Sequence, residues 1–151
     1  MTAEGELHHY RLSGLDYVYL VNGFQYHETE YGPGVSIEDI HGLHRAIAQD
    51  IVTDRAHLSG AEVRFLRKEM DLSQAGLAVM LGVDAQTVAR WEKGQTDVTG
   101  PADRLIRILY LEHLGGNPDV RHLIDTLADL DEIEHGRRCF EETAEGWRTA
   151  A

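Results

Sequence analysis

Apolar residues at Ile37, Ile40, Leu43, Ile47 and Ile51 recur in steps of three and four, which predicts a helix over about 37–52 with Ser36 and Asp39 as its capping pair. Upstream the period is two. Tyr17, Tyr19 and Val21 alternate with Val18 and Leu20, and Asn22-Gly23 follows directly. Both residues of that dipeptide tolerate the positive φ of a type I′ turn, so a hairpin of strands at about 15–21 and 24–30 is predicted. The run LHHYRL at 7–12 is a weaker strand signal.

Beyond the polar link TDRAHLSG the helical period returns. Ser59 and Glu62 form a capping box before a helix at 60–70 striped by Val63, Leu66 and Met70. Ser73 caps a second helix, with Leu77, Ala78 and Leu81 on one side and Gly82 at its end. Asp84 caps a third, with Val88 and Trp91 inward and Gly94 as its stop. Pro101 suits the first turn of a fourth, PADRLIRILYLEHL, which halts at Gly115-Gly116. Asn117-Pro118 opens a further helix striped by Leu123, Leu127 and Leu130, and the tail from about 137 reads as helical. The expected fold is mainly α, in three parts: a β-hairpin/helix unit at 1–58, a helical domain at 59–114, and an acidic helical extension at 115–151.

Composition narrows the chemistry. With 42% apolar and 26% charged residues, a chain of 151 residues has enough apolar matter for a folded core. No apolar run approaches the roughly 20 residues needed to cross a bilayer, and MTAEGELHHY has neither a basic nor an apolar leader region, so a cytoplasmic location is expected. Cys139 is the single cysteine, which rules out an internal disulfide and a Cys-x-x-Cys zinc site. The histidine pairs His8-His9 and His41/His44 have no cysteine beside them, and no nucleophile, base and orienting group can be set together. The expectation is therefore no catalytic residue, no metal and no cofactor.

The formal net charge of −12 at first argues against nucleic acid. Its distribution removes the objection: residues 1–59 carry 3 Lys/Arg against 9 Asp/Glu, residues 60–111 carry 7 against 7, and residues 112–151 carry 4 against 10. Exposed charges are screened beyond about 8 Å at physiological salt, so the local face decides whether phosphate is tolerated.

The stretch LSQAGLAVMLGVDAQTVARWEKGQT at 72–96 supplies that face. Ala78 lets two helices approach, Gly82 takes the turn between them, and Val83, Val88 and Trp91 pack inward. Ala85, Gln86, Thr87, Ala89, Arg90 and Lys93 are left facing away from the core on the second helix. A glutamine pairs with adenine N6/N7, an arginine with guanine O6/N7, and small apolar groups touch a thymine methyl. Gln86 and Arg90, four residues apart, are the candidate base readers. Gln74 is placed to reach phosphate or base, and Ser73, with the free N–H groups beside it, suits phosphate. Thr87 and Lys93 are candidate backbone anchors. Arg64, Arg67 and Lys68 are either a solvated face or contacts to flanking phosphates.

These residues closely resemble the Xre/Cro-type helix-turn-helix family, whose pattern runs Leu-Thr/Ser-Gln-x-x-Leu-Ala-x-x-Leu-Gly-Val-x-x-x-Thr-Val/Ile-x-x-Trp/Tyr-Glu-x-Gly. The match is tight over about 25 residues and loose over 59–114. The WEKG run after Arg90 and the PADRLIRILY helix look most like the DNA-binding half of MqsA- and HigA-type antitoxins. The resemblance implies a lambda-repressor-like domain, a homodimer, double-stranded DNA with a palindromic operator as partner, and repression of the protein's own promoter. It carries base reading onto Gln86 and Arg90 and a DNA contact onto Gln74. MqsA-type antitoxins place a Cys-x-x-Cys zinc domain at the N-terminus, whereas residues 1–58 here contain no cysteine. An N-terminal unit that binds and neutralises a toxin protein is the alternative role. Two points stay open: whether Leu105, Ile108, Leu109 and Leu111 pack under later helices or form a two-fold contact, and whether the tyrosines of the N-terminal unit are core or partner surface.

Overall fold

The computed structural model describes residues 6–115, 119, 122–123, 126–127 and 136–150. In chain order these form β1 (His8–His9), a 3-10 turn (Arg11–Ser13), β2 (Val18–Leu20), β3 (Phe24–Thr29), β4 (Gly32–Ile37), α1 (Ile40–Asp54), α2 (Gly60–Glu69), α3 (Gln74–Leu81), α4 (Ala85–Glu92), α5 (Gly100–His113), β5 (Arg138–Thr143) and β6 (Gly146–Thr149). They divide into two compact units. One joins residues 1–47 to 135–151, and the other spans 48–134, so that α1 contributes its first half to one and its second half to the other.

The first unit differs from expectation in three places. The tail is not helical: Arg138–Thr143 and Gly146–Thr149 are strands, and the described sheet runs β1-β2-β5-β6 with β5 parallel to β2. The local sequence RRCFEETAEGWRT has no helical stripe of its own, and a distant strand supplies its partner. Arg138 donates its N–H to Tyr17 O at 2.8 Å, and Val21 donates to Phe140 O at 2.9 Å. Nor does Asn22-Gly23 turn a hairpin. Strand β3 pairs with β4, Phe24 opposite Ile37 through Thr29 opposite Gly32, and β2 pairs elsewhere. The Asn22 side chain behaves as one more rung of the β2–β5 ladder: Nδ2 donates to Glu142 O at 3.2 Å, and Glu142 N–H donates to Oδ1 at 2.6 Å. A Cβ at Gly23 would lie 2.5 Å from the Trp147 ring, so glycine serves here to admit an indole.

Both hairpins of this unit turn on the same sequence, Glu-Thr-x-x-Gly, at 28–32 and 142–146. Thr29 donates its hydroxyl to Gly32 O at 2.6 Å and accepts from Tyr31 N–H at 3.2 Å, and Thr143 does the same with Gly146 O at 2.8 Å and Glu145 N–H at 3.2 Å. The glycines close the turns at φ 107° and 113°, which other residues rarely adopt. Because β4 occupies residues to Ile37, the helix starts later than its periodicity predicts. Asp39 accepts from Gly42 N–H at 3.2 Å and replaces Ser36 as the cap of α1. Trp147 Nε1 donates to Glu38 O at 3.0 Å at that junction. Tyr10, Leu15, Val18, Leu20, Leu43, Ile47 and Phe140 form the core, and the Tyr10 hydroxyl meets His44 Nε2 at 2.7 Å.

The second unit follows its sequence closely. Ser59 accepts from Glu62 N–H while the Glu62 carboxylate accepts from Ser59 N–H, completing the capping box of α2. Ile51, Leu58, Val63, Leu66, Leu77, Val88, Trp91, Ile106 and Tyr110 form its core. Arg107 is fully buried, donates to Asp103 Oδ1 at 2.7 Å and to Val52 O at 2.9 Å, and Asp103 Oδ2 accepts from Leu58 N–H at 2.7 Å. The guanidinium thereby satisfies carbonyls that a helix C-terminus leaves without partners. Of the helix expected after Pro118, residues 122–123 and 126–127 are helical with Leu123 and Leu127 buried, Asp119 accepts from His122 N–H at 3.0 Å, and Leu130 lies outside the described residues.

Candidate nucleic-acid interface

Two short helices and the turn between them build the site. Ser73 caps α3 by accepting from Gly76 N–H at 2.9 Å, Gly82 ends it in the left-handed conformation at φ 73°, and Asp84 caps α4 by accepting from Thr87 N–H at 2.8 Å. Leu77 and Ala78 from α3 and Val88 and Trp91 from α4 are buried, which fixes the outward face of α4. Ala85, Gln86, Arg90 and Lys93 are exposed on that face, and Ser73 is exposed at the start of α3. Gln86 and Arg90 stand one turn apart on the same side of the helix.

Two expected contact residues already have local partners. Thr87 is half-buried and donates its hydroxyl to Asp84 Oδ1 at 2.9 Å, so its oxygen retains only acceptor capacity toward other groups. Gln74 is half-buried and donates Nε2 to Glu92 Oε1 at 3.2 Å. Glu92 in turn receives a fork from Arg67, Nε at 2.7 Å and Nη2 at 2.9 Å, while Arg67 Nη1 donates to Leu72 O at 3.0 Å. This places Arg67 among interior groups rather than among phosphate contacts. The hydrogen bond to Glu92 raises the guanidinium pKa further above its ordinary range. The same chain of bonds ties α2 to α4 and orients the Gln74 amide, a role that the Trp-Glu-x-Gly run carries in Glu92 and that spacing alone did not reveal.

Internal pairing also changes the charge count. Arg67 with Glu92 and Arg107 with Asp103 are removed from the surface, and the Glu62 carboxylate, which faces Arg55, is buried as well. Exposed on the helices and turns of 60–99 are Arg64, Lys68, Arg90 and Lys93, against Asp71, Asp84 and Asp97. With half-buried Glu69 included, the surface of 60–99 balances close to neutral, and Arg90 and Lys93 are the exposed cations on and beside α4. Asp84 lies beside the candidate readers, and the Thr87 backbone and hydroxyl bonds, with a smaller contribution from the Arg90 charge, hold its carboxyl below the ordinary 3.8. It is therefore ionised at neutral pH, where it stabilises the positive end of α4.

Away from this face, Val79 is 81% exposed and Met80 is 52% exposed. Met80 lines an open groove of about 210 Å³ with Met70, Leu72, Leu109, Glu112 and His113. Leu105, Ile108, Leu109 and Leu111 of α5 are half-buried, while Ile106 and Tyr110 are in the core. Among the described residues no group of three His, Cys, Asp or Glu side chains is arranged to hold a metal ion, and no helix is long and apolar enough to cross a membrane.

Residues 63–102, from the first turn of α2 to the start of α5, match the helix-turn-helix family. No curated protein and no solved structure matches the chain. The match covers about a quarter of the sequence and includes every candidate DNA-contact residue. It supports an Xre-type helix-turn-helix regulator that binds DNA.

Proposed function

We propose that the protein is a sequence-specific transcriptional repressor that binds a palindromic operator as a homodimer. In this reading α4 enters the major groove, Gln86 and Arg90 read base edges, and Ala85 packs on a thymine methyl. Gln74, Ser73 and Lys93 hold the phosphate backbone, and Thr87 joins them only by turning its hydroxyl from Asp84 to a phosphate. The carrying observation is the clean division of α4: Val88 and Trp91 are buried, and Ala85, Gln86, Arg90 and Lys93 are free of the core. The half-buried apolar side of α5 and its groove suit a two-fold contact that sets the spacing of half-sites. An antitoxin-like autoregulator is the finer form of the proposal, in which the first unit holds a protein partner.

Selection from a random DNA pool is the direct test, followed by salt titration on the winning sequence. Four exposed cations per copy limit the slope of log K against log salt to roughly −4 per copy. Arg90→Ala is expected to cost about 1–3 kcal/mol on the selected site and to relax its sequence preference. Undiminished discrimination in a competition assay removes Arg90 from the readers, and a flat salt dependence removes the DNA reading altogether.

A further inference from the structure

The β3–β4 ribbon is largely exposed outside the corner where the His8 ring meets Phe24 and Tyr26, with His8 Nδ1 3.0 Å from the Tyr26 hydroxyl. Only Phe24 of β3 is buried, Tyr26 is 54% exposed, and Tyr31 in the turn is 97% exposed. Two-stranded ribbons are marginal in water unless something packs on them. No third described strand joins this sheet.

Its two edges are unequal. Glu38 donates its N–H to Gly23 O at 2.8 Å, which sets the alternation of the ladder. Gln25, His27 and Thr29 then exchange bonds with β4, and Tyr26 and Glu28 point their N–H and C=O outward. On the β4 side the residue opposite Glu28 is Pro33, which has no N–H and blunts that edge. Among the described residues nothing pairs with the donors and acceptors of the β3 side.

Charge decides what fits there. Residues 24–38 contain Glu28, Glu30 and Glu38 and no lysine or arginine, while His27 is bonded to Ser36 at 2.7 Å. Nucleic acid and an anionic membrane are repelled by such a surface, and a second copy brings an edge of the same negative sign. We infer that the outer edge of β3 accepts an extended, lysine- or arginine-bearing segment of a partner protein as an added strand, with Tyr26 and Tyr31 supplying apolar contact and Glu28 and Glu30 the charge. The inference rests on the protein-partner part of the reading above and is independent of its DNA part.

The test uses the full chain labelled with ¹⁵N and three synthetic peptides that alternate valine and threonine with lysine, glutamine or glutamate. The lysine peptide is expected to shift the Tyr26 and Glu28 amides and slow their hydrogen exchange, with the other two peptides binding at least tenfold more weakly. Glu28→Lys with Glu30→Lys should reverse the order of lysine and glutamate peptides and leave the remaining amide spectrum in place. Silence of the 24–30 amides toward the lysine peptide overturns the proposal. Equal response to the glutamine peptide overturns the charge argument, and shifts that follow protein concentration without peptide assign the edge to a second copy instead. Operator affinity measured on the same double variant is expected to be unchanged. A chain that binds no DNA but takes the lysine peptide would sink the repressor reading alone.

Discussion

Replacing Gly60 by alanine drives a methyl group into the backbone of the candidate recognition helix. A Cβ at that position would overlap the Trp91 carbonyl oxygen and sit 2.9 Å from the Trp91 carbonyl carbon and 3.1 Å from that of Glu92. All three are main-chain atoms, so no side-chain rotation relieves the contact, and α2 must move away from the end of α4. Overpacking of this kind costs about 1–3 kcal/mol. The glycine-to-alanine change returns about 0.4–1 kcal/mol through the unfolded chain. The expected net loss is therefore roughly 1–2 kcal/mol, or several degrees in Tm for a domain of this size. Gly100 provides the control, because it opens α5 as Gly60 opens α2 and has nothing within 4 Å of the same methyl position. Gly100→Ala should be neutral or stabilising. Urea denaturation followed by Trp91 emission in a Trp147→Phe background reads the helical unit by itself. If both alanine variants gain stability, the close approach of α2 to α4 is wrong.

Glu92→Gln strips the Arg67 guanidinium of its carboxylate in a half-buried site and should cost about 2–3 kcal/mol in the same urea assay, whereas Arg67→Met with Glu92→Met recovers most of it. His8 has its pKa lowered by burial and then by the neighbouring His9 charge, so the fold favours its neutral form. The stability of the first unit is then complete above the ordinary value of 6.5 and falls as pH drops through it, with His8→Gln flattening the profile of Trp147-detected melts. Asn22→Leu removes both bonds to Glu142 and should cost about 1–3 kcal/mol in the first unit, while leaving Trp91-detected unfolding unchanged.

The helical unit was legible because its signals are local. Ser59, Ser73 and Asp84 each cap the helix that follows them, and Gly82 fixes a turn whose two sides lie within 25 residues. The first unit departs from its local signals where its partners are distant in sequence. Asn22 looks like a turn residue until Glu142 is brought beside it, and the charged tail has no strand alternation until β2 lies alongside. A signal was nevertheless present: Glu-Thr-x-x-Gly occurs at both hairpin turns, and reading the first as a turn would have moved the hairpin from 22–23 to 30–31 and exposed the second. At the interface, outward residues followed from helical period, but the Gln74–Glu92–Arg67 chain depends on how α2 crosses α4. No spacing rule encodes that crossing.

The parallel pairing of β2 with β5 has a consequence for the order of events during synthesis. Residues bonded across it are 120 positions apart, so about ten seconds of translation separate the two strands. The helical unit has all its core residues out of the ribosome before the sheet has its third strand. A transcript cut short or a protease acting before Arg138 would thus release a chain in which α2 to α5 are whole and the sheet is half-built. Quality control by the cell would then act on one half of the molecule and spare the other.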